Sequence, residues 1–236
     1  MFVSPPNWEW LSSAIDSRAY YGAMRKALYA TSIGLAICGL AFAADVITLG
    51  KHEGETKVDV RGPWLALRVL RDGWRLEEAK LTVNSVDGVC AESAVSVSAD
   101  VPDTLVFLSA STLKVGPVMS AQEHGSKLEP FGEMFSPPKS GASKTLTLGE
   151  RHYTLRNVDG RVSLSFNSDS QYLFDYREDS DVSARVWWIG DLDGDGKLDL
   201  IADTTDKASQ LRLYLSGSAK VGSLVKLVAV RGTPDC

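Results

Sequence analysis

The sequence predicts an all-β fold, with antiparallel strands arranged as a sandwich or as a propeller-like set of sheets. Short runs rich in Val, Leu, Ile and aromatic residues recur about every ten residues and are separated by turn residues. Several runs alternate apolar and polar residues, which is the period of a strand with one buried face. No strong amphipathic helical pattern follows residue 44.

The predicted strands begin with a hairpin. Asp72-Gly73 lies between two apolar runs, and this dipeptide is typical of a tight turn between paired strands. Because successive side chains of a strand point to opposite faces, we expect Trp187 and Trp188 to lie on opposite sides of their sheet. The runs that predict strands cover residues 64–70, 74–76, 80–86, 95–98, 104–109, 145–148, 152–155, 162–166, 171–176, 184–189, 198–202, 211–215 and 224–230.

The segment from Val118 to Ser143 interrupts the strand pattern. It contains His124 and several Pro and Gly residues without a clear period. Long segments of this kind in compact domains are often functional or mark a boundary. The sequence therefore predicts a long loop or linker over residues 118–143, between an N-terminal β half at 44–117 and a C-terminal β half at 144–236.

The N-terminal region has the layout of a secretory signal peptide. Arg25 and Lys26 precede the apolar run Ala27–Ala44, and Ala41-Phe42-Ala43 supplies the small-x-small pattern of a cleavage site. The run is too short for a convincing membrane span, so we expect none in the mature chain. The sequence thus predicts a processed region over residues 1–43, with Met24 as the true start, and a periplasmic or secreted protein.

Two alternatives to cleavage stay open for this segment. The first is an uncleaved anchor. The second is lipid attachment at Cys38, where Leu35-Ala36-Ile37-Cys38 resembles a lipobox, although Ile37 stands where a small residue is usual. Removal of the segment leaves Cys90 and Cys236, an even number in an oxidising compartment, and predicts a disulfide between them.

Composition excludes several functional classes. The chain has 236 residues, with 25 Lys and Arg against 30 Asp and Glu, for a formal net charge of -5. Binding to phosphate backbones needs clustered positive charge, so we expect no nucleic-acid partner. The sequence contains no zinc-protease, nucleophile-elbow or phosphate-loop motif, and its three His are scattered. This favours a protein that is not an enzyme.

The most specific motif is Asp191-Leu192-Asp193-Gly194-Asp195-Gly196-Lys197-Leu198-Asp199. Asp residues occupy positions one, three, five and nine of a loop, and Gly196 stands at position six, where the backbone must turn sharply. Ca²⁺ takes six to eight oxygen ligands, so converging carboxylates indicate a calcium site. The backbone carbonyl of Lys197 would supply the oxygen of position seven. Position twelve is Ala202 rather than Glu, so the loop is not a complete EF-hand.

At these residues the chain resembles the FG-GAP or VCBS-type repeat, over about residues 185–203. That family carries an Asp-x-Asp-x-Asp-Gly-x-x-Asp loop followed by an apolar strand. The resemblance implies an extracytoplasmic Ca²⁺ site, and family members with several copies form β-propellers. The implied ligands are Asp191, Asp193, Asp195, Lys197 and Asp199.

Together these observations predict an exported calcium-binding β-protein. We expect it to act as a binding or interaction module toward another protein or a component of the cell envelope, with Ca²⁺ as a structural ion. One alternative is a periplasmic inhibitor or immunity protein against a cell-wall-degrading enzyme. Another alternative is an extracytoplasmic hydrolase whose site lies in the segment from Val118 to Ser143.

Overall fold

The structure is a computed structural model that describes residues 43–55, 57–89, 91–123, 135–178, 183–205 and 208–234. The range Ala41–Cys236 forms one compact unit. These residues contain strands and no α-helix, so the all-β prediction is confirmed. The predicted signal segment, the Cys90–Cys236 disulfide and His124 lie outside the described residues.

Antiparallel pairing connects all the strands of the described region. Five of these strands are short, and the others have six to nine residues. In chain order they are β1 (Asp45–Ile47), β2 (Gly50–Glu53), β3 (Trp64–Leu70), β4 (Gly73–Ala79), β5 (Leu81–Val86), β6 (Ala94–Ala99), β7 (Thr104–Ser109), β8 (Gly116–Pro117), β9 (Met119–Ser120), β10 (Gln122–Glu123), β11 (Ser143–Leu148), β12 (Arg151–Val158), β13 (Arg161–Phe166), β14 (Asp169–Asp175), β15 (Ser183–Asp191), β16 (Asp199–Thr205), β17 (Ala208–Leu215) and β18 (Lys226–Pro234).

The strands form four sheets. Sheet I has the order β1-β7-β3-β4-β8, and sheet II has the order β2-β6-β5. Sheet III has the order β18-β17-β16-β15-β9, and sheet IV has the order β10-β11-β12-β13-β14. Sheets III and IV are built almost entirely from hairpins between sequence neighbours, so the second half of the chain forms two meanders.

Three hydrophobic cores place the sheets in the order II, I, III, IV. Phe107 of sheet I packs with Val95 of sheet II in the first core. Leu67 of sheet I packs in the second core with Ile201 of sheet III, and the third core lies between sheets III and IV. Sheet III is therefore covered on both faces. This explains why residues 186–189 and 200–202 read as continuous apolar runs rather than alternating ones.

The prediction that Trp187 and Trp188 lie on opposite faces of their sheet is wrong. Both side chains pack against the core between sheets I and III. The register of β15 against β16 shifts between Val186 and Trp188, which is the signature of a β-bulge. An extra residue in one strand interrupts the alternation of side chains, so Trp187 lies on the same side as Trp188. Trp188 then meets Trp74 edge to face, with ring centroids 6.3 Å apart.

The predicted hairpin at Asp72-Gly73 is present, since β3 and β4 pair from Trp64 with Ala79 to Leu70 with Gly73. The predicted loop over residues 118–143 is more regular than expected. In its described part, β9 pairs with β15, β10 pairs with β11, and Phe135 bridges to Val186. The short strands β1 and β2 were not predicted. No helix in the part of the chain that the structure describes is long and apolar enough to cross a membrane.

An arginine connects the last described strand to the first. Arg231 of β18 donates from Nε to the carbonyl oxygen of Val46 over 3.1 Å, and its guanidinium forms an ion pair with Asp45 of β1. The Nη1 atom of Arg231 also lies 3.0 Å from a carboxylate oxygen of Glu55. These contacts hold one edge strand of sheet III against one edge strand of sheet I.

Candidate metal centre

The predicted cation loop connects β15 to β16. Residues 192–198 lie between Asp191, which ends β15, and Asp199, which begins β16. Gly194 and Gly196 both adopt positive φ values, of 78° and 73°. Side chains rarely tolerate this backbone conformation, so Gly serves at both positions, including the one expected from the motif.

Three carboxylates of the loop meet at one point. One oxygen from each of Asp191, Asp193 and Asp195 lies within 4.8 Å of the other two. Asp195 is exposed, whereas Asp191 and Asp193 are half-buried, so the cluster opens to solvent on one side. Three carboxylate oxygens at such spacing are suited to a hard divalent cation that completes its coordination with backbone oxygen and water.

Asp191 organises the backbone of the loop. Its Oδ1 accepts hydrogen bonds from the N–H groups of Gly194 and Asp195, at 2.8 and 3.2 Å. Its Oδ2 accepts from the N–H of Gly196 at 3.0 Å. The chain therefore wraps around this carboxylate, which brings the side chains of positions three and five toward it.

Asp199 occupies a different place from the other three carboxylates. Its side chain is fully buried, and Oδ2 accepts from the N–H groups of Leu192 and Asp193 at 2.6 and 3.2 Å. Oδ1 accepts from the N–H and the hydroxyl of Ser216 at 2.7 and 2.8 Å. Four donors thus surround this carboxyl. Asp199 fastens both ends of the loop to the residue that follows β17.

The turn after β17 is a part of the site that the sequence did not reveal. The Ser216 hydroxyl also lies 3.0 Å from Asp195 Oδ1, and the Gly217 N–H donates to Asp193 Oδ2 over 3.1 Å. A Cβ atom on Gly217 would lie 2.4 Å from that same oxygen. The close approach of the two segments therefore needs Gly at position 217. Ser and Gly carry no charge, so no metal-ligand pattern could indicate them.

The loop carries more negative charge than its own residues neutralise. Lys197 Nζ lies 3.2 Å from Asp195 Oδ2 at the exposed edge, where an ion pair is weak. Burial and the neighbouring Asp195 raise the pKa of Asp193. Burial, with a contribution from Asp193, raises the pKa of Asp199 to about 7. In both cases burial is the main cause, because it disfavours the charged form of the carboxyl group.

Two of the three scattered His lie in the described residues, on different sheets. His152 is exposed on β12, with Nδ1 3.2 Å from the Thr147 hydroxyl, and His52 is buried on β2. The described part of the segment from Val118 to Ser143 is anchored by Asn157, whose Nδ2 donates to the Pro138 carbonyl over 3.0 Å. A hydrolase site in that segment stays a prediction.

No protein-family model matches the chain, and no curated protein or solved structure matches it either. The resemblance to the FG-GAP or VCBS-type repeat over about residues 185–203 therefore stays a prediction. Function is inferred from the geometry of the site.

Proposed function

We propose that the chain binds one Ca²⁺ ion in the loop from Asp191 to Asp199, and that the ion stabilises an exported β-protein acting as a binding or interaction module. The observation that carries the proposal is the convergence of Asp191, Asp193 and Asp195 within 4.8 Å. The backbone carbonyl of Lys197 completes the protein ligands. Asp199, which the sequence also predicts as a ligand, lies outside the convergent group; both of its oxygens accept hydrogen bonds from the protein, so we assign it the role of holding the loop in shape.

Ca²⁺ is favoured over Mg²⁺ by the ligand set. Mg²⁺ keeps several waters and demands near-octahedral geometry, whereas Ca²⁺ accepts many carboxylate and carbonyl oxygens in flexible arrangements. A loop with three clustered carboxylates and two Gly at positive φ supplies such a set. A structural role suits a site whose residues also fasten β15, β16 and the turn after β17.

The proposal is tested by titrating the metal-free protein with Ca²⁺ in a calorimeter, in parallel with Mg²⁺. We expect one Ca²⁺ per chain and much weaker binding of Mg²⁺. Asp193→Ala should abolish binding, because it removes one of the three convergent carboxylates. The expected partner of the module is then sought by capture from a cell envelope with the Ca²⁺-loaded protein, using Asp193→Ala as the matched bait.

Asp159→Asn is the control for charge and fold. It removes one carboxylate from the exposed turn between β12 and β13, where Asn tolerates the same positive φ of 52°. This variant should bind Ca²⁺ as the parent does. Absence of Ca²⁺ binding by the parent, or equal binding by Asp193→Ala, would overturn the metal site.

A further inference from the structure

The edge strands of the four sheets differ in how they discourage further pairing. An edge strand presents N–H and carbonyl groups that another strand could pair with, and charged residues or Pro in the edge oppose this. The edges are β1, β2, β5, β8, β9, β10, β14 and β18. All of them contain a charged residue or Pro except β5 and β9, and β9 has only two residues. Among the described strands, β5 is therefore the long edge without protection.

Strand β5 is regular and open along its outer side. Its six residues, Leu-Thr-Val-Asn-Ser-Val, include no charge, Pro or Gly. They pair with β6 without a bulge, from Leu81 with Ala99 to Val86 with Ala94. Within the described region β6 is the only strand paired with β5, and four of the six β5 residues are exposed. An edge of this kind is suited to receive another strand.

The hydrogen bonding at the start of β5 fixes which residues face the open edge. The Asp100 N–H donates to the Lys80 carbonyl over 3.3 Å, in the register that continues through β5 and β6. Hydrogen-bonded and non-hydrogen-bonded pairs alternate along an antiparallel ladder, so Thr82 also faces β6. The Ser98 hydroxyl accordingly lies 3.5 Å from the Thr82 carbonyl oxygen. The residues whose N–H and carbonyl groups point to the open edge are Leu81, Val83 and Ser85.

This edge is complementary to a second copy of itself. When two β5 strands lie antiparallel with Val83 opposite its own counterpart, Leu81 of each copy lies opposite Ser85 of the other. Every outward N–H then meets an outward carbonyl. Leu81 and Val83 belong to the core between sheets I and II, so the pairing would continue that core across the two-fold axis.

The charges that flank β5 favour the same arrangement. Lys80 precedes the strand and Asp87 follows it, and both are exposed. Neither forms an ion pair with another residue that the structure describes. Antiparallel pairing about Val83 brings Lys80 of each copy within one position of Asp87 of the other, whereas parallel pairing in register would place like charges opposite each other.

We infer that the edge of β5 is the interface of a homodimer, in which the two copies of sheet II join into one continuous sheet. The contact is closed, because the other edge of sheet II, β2, carries Lys51 and Glu53. One short strand pair buries less than the about 1,200 Å² of the smaller standard interfaces, so we expect a reversible dimer with a dissociation constant no tighter than about 10 μM. The interface lies in sheet II and the cation loop lies in sheet III, so the inference does not rest on the proposed Ca²⁺ site.

Sedimentation velocity of the full chain at increasing concentration measures the association, in Ca²⁺ and in chelator. We expect the same equilibrium between monomer and dimer in both solutions. Ser85→Pro should abolish the dimer, because it removes an N–H that faces the open edge and leaves the ladder with β6 intact. Ser85→Ala is the matched control, since it keeps that N–H and should dimerise as the parent does. A parent that is monomeric at every concentration would overturn the inference, and so would a folded Ser85→Pro that still dimerises.

Charge reversal tests the orientation without altering the backbone. Lys80→Glu should weaken the dimer by about tenfold, because it places like charges together at both ends of the interface. Adding Asp87→Lys to this variant should restore the parent affinity. Failure of the double variant to recover would overturn the antiparallel arrangement.

Cross-linking tests the register. Thr82 of one copy should lie opposite Asn84 of the other as a non-hydrogen-bonded pair, with Cα atoms about 4.5 Å apart, which a disulfide can span. Chains carrying Thr82→Cys are mixed with chains carrying Asn84→Cys and oxidised, and mass spectrometry identifies the linked peptides. We expect a link between positions 82 and 84 in the mixture and none between two chains of the same variant. A link between two positions 82 would overturn the proposed pairing.

Discussion

Two hairpin connections of this molecule contain the same Asp-Gly dipeptide but are held in shape by different interactions. Between β12 and β13, Asp159 and Gly160 both take positive φ, of 52° and 83°, and close the hairpin by backbone conformation alone. Between β15 and β16, the connection is seven residues long and is organised by carboxylates that accept backbone N–H groups.

The difference shows what each loop depends on. The short turn needs residues that tolerate positive φ, so we expect its stability to depend little on Ca²⁺. The long loop uses four carboxylates where a turn would use none, and under the proposed Ca²⁺ binding a cation offsets their mutual repulsion. We therefore expect the stability of this loop to depend on Ca²⁺ and on pH, and the turn between β12 and β13 serves as the internal reference.

The largest expected effect is the response to Ca²⁺ itself. At a free concentration 100 times the dissociation constant, a ligand of the native state stabilises it by about 2.7 kcal/mol. For a domain of this size that corresponds to a rise in Tm of about 5–10 °C over the value in chelator. Thermal unfolding followed by circular dichroism measures it.

Two variants test whether the rise in Tm with Ca²⁺ comes from the loop between β15 and β16 or from the turn between β12 and β13. Asp193→Ala should melt at the same temperature in Ca²⁺ and in chelator, whereas Asp159→Asn should keep the full difference. Identical melting curves for the parent in chelator and in millimolar Ca²⁺ would show that the loop does not stabilise the fold through a cation.

Asp199→Asn should destabilise the protein by about 2 kcal/mol even in chelator. One oxygen becomes an NH₂ group that faces existing donors, either those of Ser216 or those of Leu192 and Asp193. Buried donors left without an acceptor each cost about 1–3 kcal/mol. Urea unfolding is the measurement, and Asp159→Asn should stay within about 0.5 kcal/mol of the parent. Equal free energies of unfolding for Asp199→Asn and the parent would show that the four hydrogen bonds are not maintained in solution.

Gly217→Ala should weaken Ca²⁺ binding by about threefold to tenfold without changing any carboxylate. The added Cβ would lie 2.4 Å from Asp193 Oδ2 and would displace that oxygen. Gly232→Ala in β18 is the matched control, because its Cβ would meet its nearest neighbour at an ordinary 3.6 Å. Calorimetric titration compares the two variants, and equal affinities would remove the turn after β17 from the site.

The smallest expected effect concerns the packing of sheet III against sheet IV and does not involve the loop between β15 and β16. Burial raises the pKa of Tyr214, whose hydroxyl donates to the carbonyl of Leu173 on sheet IV. The folded state disfavours ionisation of this phenol. Protonated Tyr214 therefore stabilises the fold below the ordinary pKa of about 10, and this stabilisation is lost as pH rises through the pKa of Tyr214 in the folded state. The loss of stability at alkaline pH should be the same with Ca²⁺ and with chelator.

Tyr214→Phe is the test variant for this pH dependence. It should cost about 1 kcal/mol at neutral pH through the lost hydrogen bond, and it should show less loss of stability above pH 10. Unfolding curves at several alkaline pH values measure both. An alkaline loss that depends on Ca²⁺ would instead place its origin in the loop between β15 and β16.

Local signals in the sequence predicted most of the regular strands. Thr104–Ser109 was predicted with its observed bounds, and the Asp72-Gly73 turn lies where its dipeptide indicated. The short strands β1, β2, β9 and β10 were missed, because two to four residues that pair at a sheet edge leave no period to detect. The side of the sheet occupied by Trp187 depends on a bulge, which hydrophobicity does not reveal.

The candidate site was predictable where its chemistry is local. The alternate spacing of Asp191, Asp193 and Asp195 in the sequence indicates their convergence, and the structure brings the three carboxylates together. Ser216 and Gly217 lie more than twenty residues from Asp193 and Asp195 and contribute neutral donors, so only the fold could bring them in.

The contact between Arg231 and Asp45 also has a mechanical consequence. The two residues are separated by 186 positions in the sequence, yet one guanidinium joins them. A force pulling the first and last described strands apart would load this side-chain link and the bond to Val46 together with the core that Val46 and Ala229 share. The rupture force measured from the two strands would therefore depend in part on one side chain of β18.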